Sequence, residues 1–490
     1  MQRPIEHFGP PLPRIGLSPD AVVIVPGIMG STLIEASTGR ELWGMTKAIE
    51  YALRWRQSGG MTALAVTDDE RSGRIGRVVP RGLLRKPAWA PFLGGIEPYT
   101  RLVKELRKAV VDPAAICEFA YDWRLPVSYN ATLLADCVHR HLHAWRAHPA
   151  HDRARAGNDD DRPAQAVIIA HSMGGLLVRS MTLIPGAAAE VRATLTLGTP
   201  FEGSVMAAQI LNSGRGGPPG IPRRQLRDLG RTLPGLHDLL PTYRCVETDD
   251  EVVALTPGDV EAIGGDPELA RDAFETHARA AAASLPGHLL VAGVAQPTVQ
   301  SLRIRAGIVE PNMYAFRRHP DGELRRDALG RPLRFDYHGD GTVYRYAAYL
   351  RGVEAVTVAQ QHGALAATGA VTDIARGLVN RVTDLGEVLG AEFLELGLDV
   401  PELVATGAAF DILVAGKVEP GSMSCRIEDA GSRDRIVQRP RLTRVRSMPG
   451  HLSVRVTLDD PGLYRVKVAG GSDPVSRMVL VTAGGGGDTR

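Results

Sequence analysis

Cysteine is scarce in this chain, with four in 490 residues, at Cys117, Cys137, Cys245 and Cys425. No two form a C-x-x-C pair, so the spacing argues against a metal centre and a disulfide framework, and the four read as reduced interior thiols. Excess charge of one sign is missing as well. A formal net charge of +2 is too small for the electrostatic footprint of a nucleic-acid partner. Only six of the 57 basic residues are lysine, and with abundant Ala and Gly this reads as coding bias rather than phosphate recognition. No apolar run reaches the length a membrane helix needs. The first twenty residues, MQRPIEHFGPPLPRIGLSPD, are polar and Pro-rich and lack the apolar segment of a secretory leader. These absences predict a cytoplasmic protein with no membrane anchor.

What is present is concentrated in VIIAHSMGGLLVR, residues 167–179. The β-branched run Val167-Ile168-Ile169-Ala170 predicts a buried parallel strand, and the apolar spacing after Gly175 predicts a helix. A serine between such a strand and helix, flanked by small residues, is the nucleophile elbow of an α/β-hydrolase, although its first small residue is Ala170 rather than glycine. The turn lifts Ser172 above the sheet and directs the backbone N–H of Met173 toward a substrate. A serine hydroxyl needs a base, and the base needs an acid partner, in the chain order Ser, Asp or Glu, His. Asp340 lies between two glycines in FDYHGDGTV, and His362 follows in TVAQQHGALAA, with one strand's length between them. Asp336 and His338 are the nearest competitors. A second oxyanion donor is expected where the apolar strand AVVIV breaks at Pro26-Gly27, with the N–H of Ile28 chosen and Met29 as the alternative.

Five segments in order then resemble the lecithin:cholesterol acyltransferase and lysosomal phospholipase A2 family. They are VIVPGIMGSTL (23–33), EFAYDWRLP (118–126), IIAHSMGGLLVR (168–179), LTLGTPFEGS (195–204) and GDGTV (339–343), with His362 after them. The resemblance spans roughly residues 20–380. It implies Ser172 as nucleophile, Asp340 as acid, His362 as base, and Ile28 and Met173 as oxyanion donors. Asp122 and Arg124 of the Tyr-Asp-Trp-Arg string are expected to form a buried pair that braces the site. The chain departs from secreted animal members in having only Cys117 between 34 and 118, so their lid disulfide has no counterpart.

The expected architecture is an α/β-hydrolase domain over 21–400, after an N-terminal extension of 1–20. Residues 34–95 form a lid and 205–290 a cap. Trp89 and Phe92 beside Arg85 and Lys86 have the mix an anionic lipid surface would take, so these two aromatics are candidate lipid-facing residues; the alternative is that they pack the cap against the core. GRGGPPGIPRR (214–224) reads as a mobile loop and 147–164 as a solvated one. Short alternating segments over 401–483 predict an all-β, immunoglobulin-like sandwich, with a disordered tail at 484–490.

The expected chemistry is a serine-dependent lipid acyl-ester hydrolase or O-acyltransferase, without a metal or organic cofactor. Its partners would be a lipid ester, water or an alcohol acceptor, a peripheral membrane surface, and a protein bound by the sandwich. The alternatives are an esterase for a small soluble ester or amide, and a catalytically silent binding module.

Overall fold

Runs of β-branched residues buried on both faces make the centre of the molecule. The computed structural model describes residues 17–44, 62–90, 94–156, 162–212, 223–319, 322–381, 396–416, 418–432, 434–470 and 473–482. Six strands build one sheet: β1 (Ala21–Val25), β2 (Ile116–Glu118), β3 (Ala166–His171), β4 (Val191–Leu197), β5 (His288–Val294) and β6 (Ala355–Ala359). Their order is β6-β5-β4-β3-β1-β2, with every neighbouring pair parallel. β1 and β3 are buried along their whole length, as strands covered on both faces must be.

Alternation sorts their side chains onto two cores. Val22, Ile24, Val167 and Ile169 meet helices α1 (Thr100–Leu106) and α4 (Gly369–Val379). Val23, Val25, Ile168 and Ala170 share the other core with helices α2 (Val127–Arg146) and α3 (Met173–Met181). The chain goes from β1 to β2 on one flank and returns as β3 on the other. A crevice therefore opens beyond the carboxyl ends of β1 and β3, where open parallel sheets place their sites. The loop after β1 and Ser172 after β3 are both delivered to it.

The segment after β1 forms a three-stranded antiparallel sheet of Ser31–Glu35, Glu41–Trp43 and Val78–Leu83, then a hairpin of Ala88–Ala90 with Gly94–Ile96. This hairpin corrects the lipid-facing assignment of Trp89. Trp89 is 7% exposed and shares a core with Ile96, Met478 and Leu480. The strand Val475–Thr482 covers the hairpin so closely that a Cβ on Gly95 would lie 2.2 Å from the Met478 Cβ. Phe92 lies outside the described residues, as do most of the 214–224 loop and the 484–490 tail. Part of the expected solvated loop is helical: Pro149–Ala156 buries Ala150 and Ala154.

The cap reaches beyond residue 290. Strands Arg244–Glu247 and Val252–Ala254 join Ser301–Arg305 and Ile308–Asn312 in one four-stranded sheet, on the far side of β5 in the sequence. Near the C-terminus two sheets pack face to face on a common apolar core. One orders Gly397–Asp399, Ala409–Ala415, His451–Thr457 and Thr443–Arg444. The other orders Leu403–Ala405, Val475–Thr482, Gly462–Ala469, Ser424–Asp429 and Arg435–Gln438. The first strand starts ahead of the expected boundary at 401.

Among the described residues, no helix is long and apolar enough to cross a membrane. Cys117 on β2 and Cys137 on α2 are half-buried, with Sγ atoms 3.4 Å apart. Their spacing in sequence hid this contact, because strand and helix meet only in the fold.

Candidate active site

Ser172 caps the end of β3 with φ 52° and ψ −128°, a left-handed geometry that a side-chain-bearing residue adopts only when its surroundings hold it there. Close packing does so. A Cβ on Gly174 would lie 2.6 Å from the Pro26 carbonyl oxygen, so only glycine lets α3 sit this near the end of β1. Gly27 abuts the serine itself, since a Cβ there would stand 2.7 Å from the Ser172 Cβ. Gly27→Ala is expected to displace Ser172 and slow its acylation about 100-fold. Labelling by a small fluorophosphonate at the wild-type rate would refute this.

The structure brings Ser172, His362 and Asp340 into one hydrogen-bonded line. His362 Nε2 is 2.8 Å from Ser172 Oγ, and His362 Nδ1 is 2.7 Å from Asp340 Oδ2. Asp340 Oδ1 accepts the N–H groups of Val343 at 2.7 Å and Thr342 at 3.0 Å, which fixes the carboxylate. The His362 N–H donates to the Asp340 carbonyl at 2.7 Å. Because a carboxylate only accepts, Nδ1 carries the proton and Nε2 accepts from the serine hydroxyl. The competitors Asp336 and His338 pair instead with each other near the surface, at 3.4 Å.

Met173 follows Ser172 directly as the first residue of α3, and Gly27, next to Ile28, abuts the serine from the loop after β1. Met29, the alternative donor, has φ 61°, and its carbonyl accepts from Trp43 Nε1 at 2.7 Å. The loop after β1 is thereby anchored from the lid side. From the other side Tyr121 Oη donates to the Pro26 carbonyl at 2.9 Å, and Trp123 Nε1 to the Ser31 carbonyl at 3.2 Å.

Asp122 and Arg124 form the buried pair expected of them, with Arg124 0% exposed and Nη2 2.7 Å from Asp122 Oδ2. A third member was not found in the sequence. Glu70 Oε1 accepts from Arg124 Nη2 at 2.8 Å. Burial works to raise the Glu70 carboxyl, but hydrogen bonds from Arg124, the Thr67 N–H and Arg77 overcome it and hold the group at about 2. The only local signal was Thr67-x-x-Glu70, a helix capping box. Such a box explains Glu70 without any partner.

His171, the residue before the nucleophile, was also missed. Its ring is buried 5.0 Å from the His362 ring, with Nε2 3.0 Å from the His362 carbonyl and Nδ1 2.8 Å from Tyr99 Oη. The carbonyl can only accept, so Nε2 donates to it and Nδ1 accepts from the tyrosine. Tyr99 Oη in turn accepts the Gly27 N–H at 2.9 Å. Burial, reinforced by the nearby His362, lowers His171 to about 3, so it stays neutral. No cluster of metal-ligating side chains occurs among the described residues.

The parallel sheet and its elbow define an α/β-hydrolase-type domain. Residues 127–212, which carry α2, β3, Ser172, α3 and β4, match the family described as a PGAP1-like alpha/beta domain. That family is not the acyltransferase and phospholipase group the five segments resemble; the common ground is the hydrolase-type domain. No curated protein matches the chain in sequence. Among solved structures, Bacillus licheniformis lipase BlEst2 in its propeptide form is 10% identical, with 98% of this chain and 95% of that one covered and a TM-score of 0.31. The sulfur carrier protein SoxY from Chlorobium limicola f thiosulfatophilum is 24% identical, covering 18% of this chain and 78% of its own, with a TM-score of 0.13. CopC from Methylosinus trichosporium OB3b is 21% identical over 17% of this chain and 84% of its own, with a TM-score of 0.14. At such scores the chemistry has to be argued from the residues.

Proposed function

We propose that the chain is a serine-dependent lipid acyl-ester hydrolase or O-acyltransferase that works through an acyl-serine. The observation that carries this reading is the Ser172–His362–Asp340 line on a strained elbow. Ser172 Oγ attacks the ester carbonyl while His362 Nε2 takes its proton, and Asp340 stabilises the imidazolium. The N–H groups of Ile28 and Met173 hold the negative oxygen of the tetrahedral intermediate. Collapse breaks the ester bond, and His362 returns the proton to the departing alcohol. Water or a second alcohol then repeats the sequence on the acyl-serine, giving a fatty acid or a new ester. The choice between them rests on how well the site excludes water. A lipid acyl group is favoured by the resemblance of the five segments.

The test is lipid mass spectrometry on phosphatidylcholine vesicles containing a long-chain alcohol, with wild type and Ser172→Ala. Fatty acid or alkyl ester from wild type alone is the expected result, and their ratio separates hydrolase from transferase. Untouched lipid with rapid turnover of a monomeric ester would overturn the lipid part. Absence of fluorophosphonate labelling at Ser172 would favour the silent binding module.

A further inference from the structure

We propose that the C-terminal sandwich is a working part of the active site, with Gln360 and Gln361 as the positioning residues that hold His362 through it. This rests on the reading of His362 as the base. The two glutamines lie between β6 and His362, and both are buried. Neither spends its side chain on the hydrolase sheet. Gln360 Nε2 donates to the Pro474 carbonyl at 3.0 Å, and its Oε1 accepts the Ser476 N–H at 3.0 Å. Gln361 Nε2 donates to the Leu398 carbonyl at 3.0 Å and to Gln296 Oε1 at 2.9 Å.

Gln296, fully buried, extends the same bond set to the acid. Its Nε2 donates to the Leu396 carbonyl at 2.7 Å, and its Oε1 accepts the Leu398 N–H at 3.1 Å. Its own N–H donates to the Gly339 carbonyl at 2.9 Å, next to Asp340. The loops that bear base and acid are therefore both tied to the first strand of the sandwich.

Beyond His362 the attachment continues. The Gly363 carbonyl accepts the Glu97 N–H at 2.9 Å, and the Glu97 carboxylate pairs with Arg465 of the sandwich at 2.6 Å. Asp473 Oδ2 accepts the Ala370 N–H at the start of α4 at 2.6 Å.

Apolar side chains would join two domains without fixing their register. Buried amides are directional, and each costs stability if its partner moves away. Three of them around the His362 and Asp340 loops make the position of the imidazole depend on the sandwich. A module that only recruited a partner would need no such seam.

The experiment compares full-length wild type, Gln360→Leu, Gln361→Leu and Gln438→Leu. Gln438 Nε2 bonds the Thr457 carbonyl at 2.7 Å inside the sandwich, on an edge strand separated from Val475–Thr482 by two others, so its loss tests the stability of the sandwich. Two readouts are taken. One is kcat and KM on a soluble p-nitrophenyl ester. The other is the low-field proton resonance of the His362–Asp340 hydrogen bond, which needs no substrate.

Gln361→Leu is expected to lower kcat about 100-fold with KM little changed, and to lose or shift the resonance. Gln360→Leu is expected to act in the same direction, and Gln438→Leu to keep both readouts at a similar loss of Tm. Wild-type kcat and resonance in Gln361→Leu would overturn the proposal. Equal damage from Gln438→Leu would overturn it too, by making the effect one of general stability. A wild type that shows the resonance, loses it in Gln361→Leu and yet hydrolyses nothing would uphold the attachment while refuting the catalytic reading.

Discussion

Asp340→Asn is expected to lower kcat about 10⁴-fold while leaving the fold intact, the order seen when the acid of a Ser-His-Asp set becomes its amide. The reason is the division of labour between the two carboxylate oxygens. Oδ1 is held by the Thr342 and Val343 N–H groups, so in the variant the amide oxygen takes that place. The amide NH₂ then faces His362 Nδ1, where the carboxylate had accepted a bond at 2.7 Å. Two donors cannot face each other, so the ring proton moves to Nε2 and points at Ser172 Oγ. A base that carries its proton on the wrong nitrogen cannot receive one. Turnover of a soluble ester measures the effect, and a loss below about tenfold would remove Asp340 from the mechanism.

Arg124→Met should destabilise the protein by about 3–5 kcal/mol, the range for taking one partner from a buried ion pair. Arg124 bonds Asp122 Oδ1 at 2.9 Å and Oδ2 at 2.7 Å, Glu70 at 2.8 Å, and the Leu64 and Ala65 carbonyls at 3.2 Å each. Methionine fills much of the volume but leaves two carboxylates and two carbonyls without that donor. Urea denaturation reads the loss directly, and a change under about 1 kcal/mol would show that water replaces the guanidinium.

The same group of charges has a pH signature. Glu70 is held at about 2 when folded, below its ordinary 4.5. The unfolded chain therefore binds the proton first. The stability that Glu70 contributes is present above about pH 4.5 and is lost as pH falls toward 2. Removing Arg124 should flatten that slope, because the largest hydrogen-bond contribution lowering the Glu70 carboxyl goes with it.

Local chemistry made much of the hydrolase domain legible. A parallel strand covered on both faces must be continuously apolar, so AVVIV and VIIA announce themselves. An elbow needs small residues around its serine, and Gly174 and Gly27 have neighbours that explain why. What stayed hidden depends on contacts between distant segments. Trp89 beside Arg85 and Lys86 could face a lipid surface or pack inward, and only Met478 covering its hairpin decides between the two. Glu70 and His171 are each accounted for by their own surroundings, one as a helix cap and the other as a flanking residue. Gln360 and Gln361 carry no motif of their own, and their place emerges only with Pro474, Ser476 and Leu398 beside them.

Ser172 and His362 expose only 5% and 8% of their surfaces, so a reagent on its approach meets little of either residue. This has a consequence for inhibitor kinetics. A compact phosphonofluoridate that fits the approach reports the reactivity of the serine. A long-chain or biotin-bearing analogue, with the same reactive phosphorus, reports that reactivity multiplied by how often the approach widens. The ratio of the two inactivation rates thus measures opening separately from chemistry. Lipid vesicles added to both reactions would show whether an interface changes the first quantity or the second.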